Sequence, residues 1–438
     1  MCVVVALSLF LASCSNVSEV YRSIEADVAH GEYLHAINTV HLNEQVYGEK
    51  ARVLYNLDIG LLYHYAAVPD SSTKYFLQAE GEIQDLYTKS ISLAAISLLT
   101  NDNVLPYEGE DFEKVMINVF LALNYARLGE NDEALVEARK VDEKLRDYAV
   151  RYAGKNSYQE DALARYLSGV LYESGDEIND AFIAYRKAYE AYQKYDTLYG
   201  TPAPRFLLDD LVRTASLMEF TEEAQQYVAL GGKPLDAEER NLGTIFIVAY
   251  AGRGPIKEQI RPSVTIPDSS GTLHTFQIAL PKFVPRMQGV RSYDVEAFNV
   301  ADSMTAVNAK TELAQDITAI AGRCLDDRMA LVYLKSGGRA LLKFLAAEKV
   351  KSGLKKKDDA VTNFLGSLAV DLAVGATEQA DLRSWGTLPA QIQLAKLRVH
   401  PGTYALRVHS SDNLFASTAT QVTVRRGKTE FIILDDVR

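Results

Sequence analysis

Apolar side chains recur at helical spacing through the first 240 residues, in short segments that are separated by glycine turns. Gly31, Gly129 and Gly175 each stand a few positions before an alanine that opens another helical segment. Small residues let paired helices approach closely, aromatic residues fill the gaps, and glycine ends a helix. The pattern therefore predicts stacked helical hairpins over residues 19–240.

The turn pattern resembles the tetratricopeptide repeat, although its spacing is irregular. Gly31 and Gly129 are 98 residues apart, and Gly129 and Gly175 are 46 apart, against a repeat period of about 34 residues. The longer gap predicts an extra hairpin over residues 51–66 and 72–99. A degenerate hairpin without a glycine is predicted over 206–218 and 221–228. A plain helical bundle is the alternative topology.

Tyrosine is concentrated in this part of the chain, where 21 of the 25 tyrosines lie. Tyr185, Tyr189, Tyr192 and Tyr195 repeat every three or four residues and form one aromatic stripe on a helix. We interpret the stripe as core, and a peptide groove is the alternative.

Beyond residue 240 the pattern changes to a mixed region. Residues 244–250 form a β-branched and aromatic run typical of a buried strand, and 272–280 is a second extended piece. An apolar stripe predicts helix over 300–350, including 312–320. Residues 364–375 are too short to span a membrane and predict a core or interface helix.

The last 50 residues alternate apolar and polar side chains in four segments, 391–399, 402–408, 420–425 and 429–434. Arg426, Gly427 and Lys428 make a tight turn between the last two. The predicted fold class is α+β: an N-terminal α-helical, TPR-like repeat domain (19–240), then a mixed α/β domain (241–438) that ends in a small β-sheet or sandwich (391–434).

Charge divides at the same boundary. Residues 1–240 carry 21 Lys and Arg against 39 Asp and Glu, whereas residues 241–438 carry 25 against 19. The whole chain of 438 residues has a net charge of −12, with 48% hydrophobic side chains. This is the composition of a folded protein. The acidic balance excludes a general nucleic-acid binder, which needs a basic surface.

The first residues predict a lipid anchor. Residues 2–12 form an apolar run too short for a membrane span but suited to a signal peptide. The run ends in Leu11-Ala12-Ser13-Cys14, which resembles the bacterial lipoprotein signal, whose cysteine accepts a diacylglycerol. We predict a signal peptide over 1–13, lipidation of Cys14 and a tether over 14–18. With no Asp directly after Cys14, the outer membrane, facing the periplasm, is the expected location. A buried N-terminal strand is the alternative.

Three further segments resemble an uncharacterised family of bacterial envelope lipoproteins with tetratricopeptide-like repeats. They are residues 105–113 running into 123–125, the turn at 252–257, and residues 380–389 around Trp385. The resemblance implies a role in envelope assembly and carries no residue-level activity.

Signatures of catalysis, metal binding or cofactor binding are absent from the sequence, including a nucleophile elbow, a phosphate loop and paired-cysteine motifs. We therefore predict no catalytic residues, no metal and no cofactor. Cys324 is expected to be a small core residue rather than a reactive thiol. The seven histidines do not share a helix face at ligand spacing.

Asp381, Arg383 and Trp385 form the most promising candidate for partner binding, since Trp385 is the single tryptophan and stands beside charge. As a recognition surface the group would bind a protein or a glycan strand. As structure, Trp385 would fill the junction between helices and strands while Asp381 and Arg383 fix the turn.

The sequence predicts a membrane-anchored lipoprotein that acts as a non-enzymatic scaffold or adaptor for envelope proteins. The helical repeats would offer a concave surface to a protein segment, and the anchor would raise the local concentration of membrane-bound partners. Nucleic acid and small-molecule substrates are not expected. An envelope enzyme or a glycan- or peptidoglycan-binding protein, with its site in the C-terminal domain, is the alternative.

Overall fold

A computed structural model describes residues 20–99, 105–154, 156–267, 273–286, 292–302, 306–354, 379–411 and 416–437. Helices fill the first half and strands dominate the second, as the α+β class predicts. The predicted signal peptide, Cys14, the tether and the helix over 364–375 lie outside the described residues.

The helical half is a series of hairpins. Its helices are α1 (residues 20–29), α2 (Tyr33–Leu42), α3 (Glu44–Tyr47), α4 (Arg52–Tyr65), α5 (Pro69–Leu99), α6 (Asp111–Leu128), α7 (Asn131–Arg151), α8 (Ala162–Ser174), α9 (Ile178–Tyr199), α10 (Arg205–Leu217) and α11 (Thr221–Ala229).

The hairpins stack in chain order. Helices α4 and α5, α6 and α7, α8 and α9, and α10 and α11 pack in pairs, and each pair also contacts the next through α5–α6, α7–α8 and α9–α10. Contact between sequence neighbours throughout is the arrangement of a helical repeat rather than of a plain bundle. The predicted extra hairpin is α4–α5, and the degenerate one is α10–α11, so both are confirmed.

Left-handed residues close the turns. Gly31 and Gly129 have φ of 74° and 78°, the conformation that glycine adopts at no steric cost. At the third turn Gly175 stays right-handed with φ of −81°, and Asp176 takes the left-handed position with φ of 67°. The third turn therefore has the same shape as the other two, although Asp176 rather than a glycine supplies the left-handed conformation.

We expect Gly169→Ala to lower the free energy of unfolding by about 1–3 kcal/mol, because an added methyl overpacks a filled interface. A Cβ on Gly169 would lie 2.4 Å from the ring of Tyr185 across the α8–α9 pair. Gly81→Ala in α5 is the matched control, since a Cβ there meets nothing within 4 Å. This variant should raise the free energy of unfolding by about 0.5–1 kcal/mol. Urea unfolding of both variants measures the difference, and equal effects would show that the helices separate easily.

The second half contains β1 (Gly243–Arg253), β2 (Ile256–Ile260), β3 (Ser263–Pro267), β4 (Leu273–Gln277), β5 (Leu280–Val284), β6 (Tyr293–Asn299), β7 (Ala306–Lys310), β8 (Glu312–Asp316), α12 (Ile317–Leu354), β9 (Pro389–Val399), β10 (Gly402–Ser410), β11 (Ala416–Val424) and β12 (Thr429–Asp436). Two four-stranded sheets have the orders β12-β1-β9-β8 and β11-β10-β6-β7, and β2-β5 and β3-β4 form two-stranded sheets.

The first sheet is a middle layer. On β1, Ile245 and Ile247 point to the second sheet and form a sandwich core with β6 and β10. The alternate residues Phe246, Val248 and Tyr250 join the core of the helical half. This period-two alternation places one sheet between the helices and the second sheet. The two halves of the chain therefore share one hydrophobic core.

Three expectations need correction. Within the helix predicted over 300–350, residues 306–310 and 312–316 are strands β7 and β8, because they pair with β6 and β9, and the helix begins at Ile317. The extended piece over 272–280 is divided between β4 and the start of β5. The turn at Gly427 joins strands of different sheets, since β11 pairs with β10 while β12 runs parallel to β1.

A buried ion cluster, formed by Glu173, Asp210, Arg213 and Lys396, ties the helices to the first sheet. Arg213 donates to Glu173 at 2.7 and 2.6 Å, and Lys396 Nζ of β9 lies 2.6 Å from Asp210 Oδ1. Burial alone would raise the pKa of Glu173, but Arg213 and Lys396 hold it below its usual value. The cluster thus joins α8 and α10 to β9 through charges that are largely shielded from water, since Glu173 is its most exposed member at 14%.

Candidate functional site

The segment over residues 379–388, here called the strap, carries the three residues that the sequence singled out. The indole of Trp385 is 1% exposed and makes edge contacts with Phe76 and Phe120, both at 5.8 Å between ring centroids. A ring inside the core cannot anchor a partner at the surface. Trp385 therefore fills the junction between helices and strands, which is the structural alternative, and its ring is not exposed for partner binding.

Asp381 and Arg383 hold the strap against the N-terminal helices. Arg383 Nε donates to Asp381 Oδ1 at 2.9 Å, and its Nη1 donates to the backbone carbonyls of Lys50 and Leu105 at 3.1 and 3.0 Å. The guanidinium also lies 5.4 Å from the ring centroid of Tyr107. These intramolecular contacts occupy the groups that were candidates for recognition.

Two buried carboxylates at the start of α6 complete this junction. Glu110 pairs with Lys257 of β2 and with Arg328 of α12. Glu113 accepts the Tyr107 hydroxyl and, at 2.8 Å, the backbone N–H of Trp385. Burial raises the pKa of Glu113 although Lys257 opposes the shift. The carboxylates therefore satisfy donors from both halves of the chain.

A third buried carboxylate, Asp58 of α4, also contacts the strap. It accepts hydrogen bonds from Thr387 Oγ1 at 2.8 Å and from the Tyr47 hydroxyl at 3.0 Å. Burial raises the pKa of Asp58 to about 7. The folded protein therefore holds a proton on Asp58 at pH values where an unfolded chain has released it.

The raised pKa of Asp58 predicts a pH dependence of stability. The stabilising contribution is fully present below about pH 4, the usual carboxyl pKa, and is lost as the pH rises to about 7. In Asp58→Asn this loss cannot occur, so the variant should gain stability relative to wild type across that window, by about 3–4 kcal/mol in total.

Urea unfolding at pH 4.5, 5.5, 6.5 and 7.5 measures this difference, in which contributions from other titrating groups cancel. Glu190→Gln, at an exposed position of α9, is the control and should run parallel to wild type. Parallel profiles for Asp58→Asn as well would contradict the assignment.

On the outer side of this junction lies a surface cleft of about 760 Å³, within the usual range of ligand-binding pockets. It lies between α2–α3, the start of α4, the middle of α5 and the segment at 106–107. Its described lining consists of His41, Leu42, Glu44, Gln45, Tyr47, Gly48, Glu49, Arg52, Val53, Tyr55, Glu82, Asp85, Leu86, Pro106 and Tyr107.

The floor of the cleft connects to the buried carboxylates. Tyr47 lines the cleft and donates to Asp58, and Tyr107 lines it and donates to Glu113. Asp58 and Glu113 in turn bind the strap at Thr387 and Trp385. Cleft and strap are thus two sides of one hydrogen-bonded layer.

The inner surface of the helical array is covered by the strap and the first sheet of the same chain. Tyr65 donates to the Thr387 carbonyl at 3.2 Å, Tyr192 donates to the Ala314 carbonyl at 3.1 Å, and His64 Nε2 lies 2.8 Å from the Tyr250 hydroxyl. The expectation that this concave surface receives a partner segment is therefore wrong. Of the predicted stripe, Tyr185, Tyr192 and Tyr195 are buried and Tyr189 is partly buried against the same core, so the interpretation as core is confirmed.

Other candidate groups are structural or exposed. Cys324 is buried, and burial raises the pKa of its thiol well above the usual value, which disfavours the nucleophilic thiolate. Among the described residues, Asp27, Glu32 and His35 bring metal-ligating atoms together at the surface. Their geometry is explained by the ion pair of His35 Nδ1 with Asp27 at 2.9 Å.

The C-terminal strands carry a shallow polar depression of about 410 Å³ on β6 and β7, with Asp294, Glu296, Asn308, Lys310 and His409 in its lining. It is the described feature nearest to the alternative of a C-terminal site. No helix in the described part of the chain has the length and apolar character to cross a membrane.

No protein-family model matches the sequence, and no curated protein matches it. Among solved structures, the apo form of RapI aligns at a TM-score of 0.33 and 16% identity over 46% of this chain and 48% of RapI, so the chain spans about half of that protein. MamA AMB-1 aligns at 0.30 and 17% identity, over 49% of this chain and 90% of MamA. A Podosopora anserina putative kinesin light chain with TPR-like repeats aligns at 0.31 and 13% identity, over 49% of this chain and 92% of that chain. Scores near 0.3 identify neither a family nor a function.

Proposed function

We propose that this chain is a lipid-anchored, non-enzymatic scaffold that acts through protein–protein interaction in assembly of the bacterial cell envelope. The observation that carries the proposal is the cleft, which is open at the surface of the described part of the chain, while the inner face of the repeats is filled by the chain's own sheet. Its described lining combines carboxylates, aromatic rings and one arginine, and contains no Ser, Cys or Lys. Such a set suits recognition better than nucleophilic catalysis.

The lipid anchor predicted from the sequence also supports the proposal. An acylated Cys14 would confine the cleft to one membrane surface and raise the effective concentration of partners there. Stable anchoring needs more than one acyl chain, and a lipidated N-terminal cysteine carries two or three. Cys14→Ala should therefore move the protein from the membrane fraction to the soluble fraction.

Affinity capture from crosslinked membranes tests the scaffold function. The full chain is compared with Leu42→Asp/Glu49→Lys, which changes two exposed residues on the cleft. The matched control is Leu230→Asp/Glu222→Lys, which makes the same chemical changes at exposed positions around α11. We expect wild type and the control variant to capture envelope proteins. The cleft variant should capture at least about tenfold less of them.

Two results would overturn this function. Capture that is equal for all three proteins would remove the cleft as the binding surface. Recovery of glycan instead of protein, or hydrolysis of isolated cell wall by the purified full chain, would favour the alternative of a C-terminal enzyme or glycan-binding site.

A further inference from the structure

The walls of the cleft carry an excess of negative charge. Glu44, Glu49, Glu82 and Asp85 face a single cation, Arg52, among the described lining residues. The low-dielectric rings of Tyr47, Tyr55 and Tyr107 form the surface between them. A concave site lined by one sign of charge concentrates ligands of the opposite sign. The cleft therefore favours a cationic occupant.

Arg52 shows how the cleft holds a cation. Its guanidinium carbon lies 4.9 Å from the ring centroid of Tyr55, which is a cation–π contact. The same guanidinium pairs with Glu44, and its Nε lies 3.6 Å from Glu82 Oε1. His41 Nδ1 lies 2.8 Å from the Tyr55 hydroxyl and fixes the ring in place. One cation thus already uses a ring and two carboxylates of this cleft.

Binding capacity remains beside Arg52. Glu82 Oε2 is buried and has no hydrogen-bonding partner. Behind it, Asn56 is 1% exposed, hydrogen-bonds to Glu82 and keeps its own Oδ1 without a partner. A buried acceptor without a donor costs about 1–3 kcal/mol, so an N–H group that reaches Glu82 recovers that energy. Glu82, whose side chain is 33% exposed on the cleft, therefore favours a ligand that brings donors rather than acceptors.

The size and rim of the cleft select a polypeptide. A space of about 760 Å³ is far larger than one side chain and is open to solvent. Leu42 on its rim is 76% exposed, which provides apolar contact for neighbouring residues of a ligand. A free small cation would leave this rim unused.

We propose that the cleft binds an extended basic segment of a partner polypeptide, with an Arg or Lys side chain of that segment against Glu82. This inference deepens the proposed scaffold function and rests on it. The remaining carboxylates, Glu49 above all, attract further positive charges of the same segment. Because the contacts are charged and partly exposed, affinity falls as salt is raised.

Selection from a random decapeptide display library on the immobilised full chain tests the ligand class. We expect enrichment of Arg and Lys. A selected peptide is then titrated beside a twin in which citrulline replaces the enriched Arg, which keeps the shape and removes the charge. The twin should bind at least about tenfold more weakly to wild type. Glu82→Gln should weaken binding of the Arg peptide similarly, and the exposed Glu222→Gln should leave it unchanged.

The Arg52→Ala variant tests whether the cleft recognises a cationic side chain or whether its charged residues serve only the fold. Removal of the internal cation frees the Tyr55 ring and the Glu44 carboxylate, so the selected Arg peptide should bind about threefold or more tightly. Weaker binding, enrichment of acidic or apolar peptides, or equal affinity of the citrulline twin would overturn the inference.

The two proposals fail separately. If capture of envelope proteins depends on the cleft while the selected peptides are not basic, the scaffold function stands and the ligand class is wrong. If basic peptides bind the cleft but capture does not depend on it, the function proposed for that site is wrong.

Discussion

A chain truncated after residue 240 is expected not to fold into a stable helical domain. Its inner face would expose side chains that now pack on the first sheet, among them Tyr65, Phe120, Tyr166 and Tyr192, all at most 5% exposed in the full chain. Burial of each large side chain is worth about 1.5–3 kcal/mol. Four of them account for about 6–12 kcal/mol, which is comparable to the whole stability of a typical domain.

Circular dichroism, dye binding and size-exclusion chromatography measure the outcome. The fragment should show no cooperative thermal transition, should bind a hydrophobic dye and should aggregate. The control is the intact sequence divided within residues 233–236, a largely exposed stretch, with both pieces expressed together. The pieces should copurify and melt cooperatively. A monomeric fragment 1–240 with a sharp transition would instead show that the helices form an independent domain.

This expectation also determines how binding must be studied. Deletion of residues 241–438 would remove the sheet that supports α4, α6 and α8, so loss of a partner would report unfolding rather than the location of the site. Substitutions at exposed cleft residues avoid this problem because they leave the shared core in place.

The sequence predicted the helical half well because its signals are local. Glycine turns such as Gly31 and Gly129 and the small residue Gly169 report the conformation and packing of their immediate neighbours. The strands β9, β10 and β12 were found for the same reason, from period-two alternation, and β1 was found from its β-branched and aromatic run. Strand β8 was missed because five residues with two apolar positions fit a helix equally well, and its pairing with β9 is a long-range property.

The packing of the helical half against the strands could not be predicted from such local signals. Phe246 and Tyr250 are apolar in sequence, but nothing local says that one face of β1 meets the helices and the other meets a second sheet. The cleft was missed because its walls come from three separated segments around Glu49, Glu82 and Tyr107. The single tryptophan attracted attention as a recognition residue, and its burial follows from the same long-range packing.

The second large effect is expected in the buried ion cluster. Lys396→Met leaves Glu173 and Asp210 in direct contact with one cation, Arg213, and Asp210→Asn leaves Arg213 and Lys396 in direct contact with one carboxylate, Glu173. Each substitution strands a charge in the core and should cost about 3–5 kcal/mol. The double variant keeps the balanced pair of Arg213 and Glu173, at 2.6–2.7 Å, and should be clearly more stable than the sum of the single effects implies.

Urea unfolding of the four proteins gives the coupling energy, which should reach about 2–3 kcal/mol. The control cycle uses Arg407→Met and Glu296→Gln, whose side chains lie 3.4 Å apart at the surface and are 59% and 30% exposed. Its coupling should stay below about 1 kcal/mol, because water and salt screen exposed pairs. Additive losses in the buried cycle would mean that Lys396 reaches water in solution, and the ion cluster would then not be what ties the helices to the sheet.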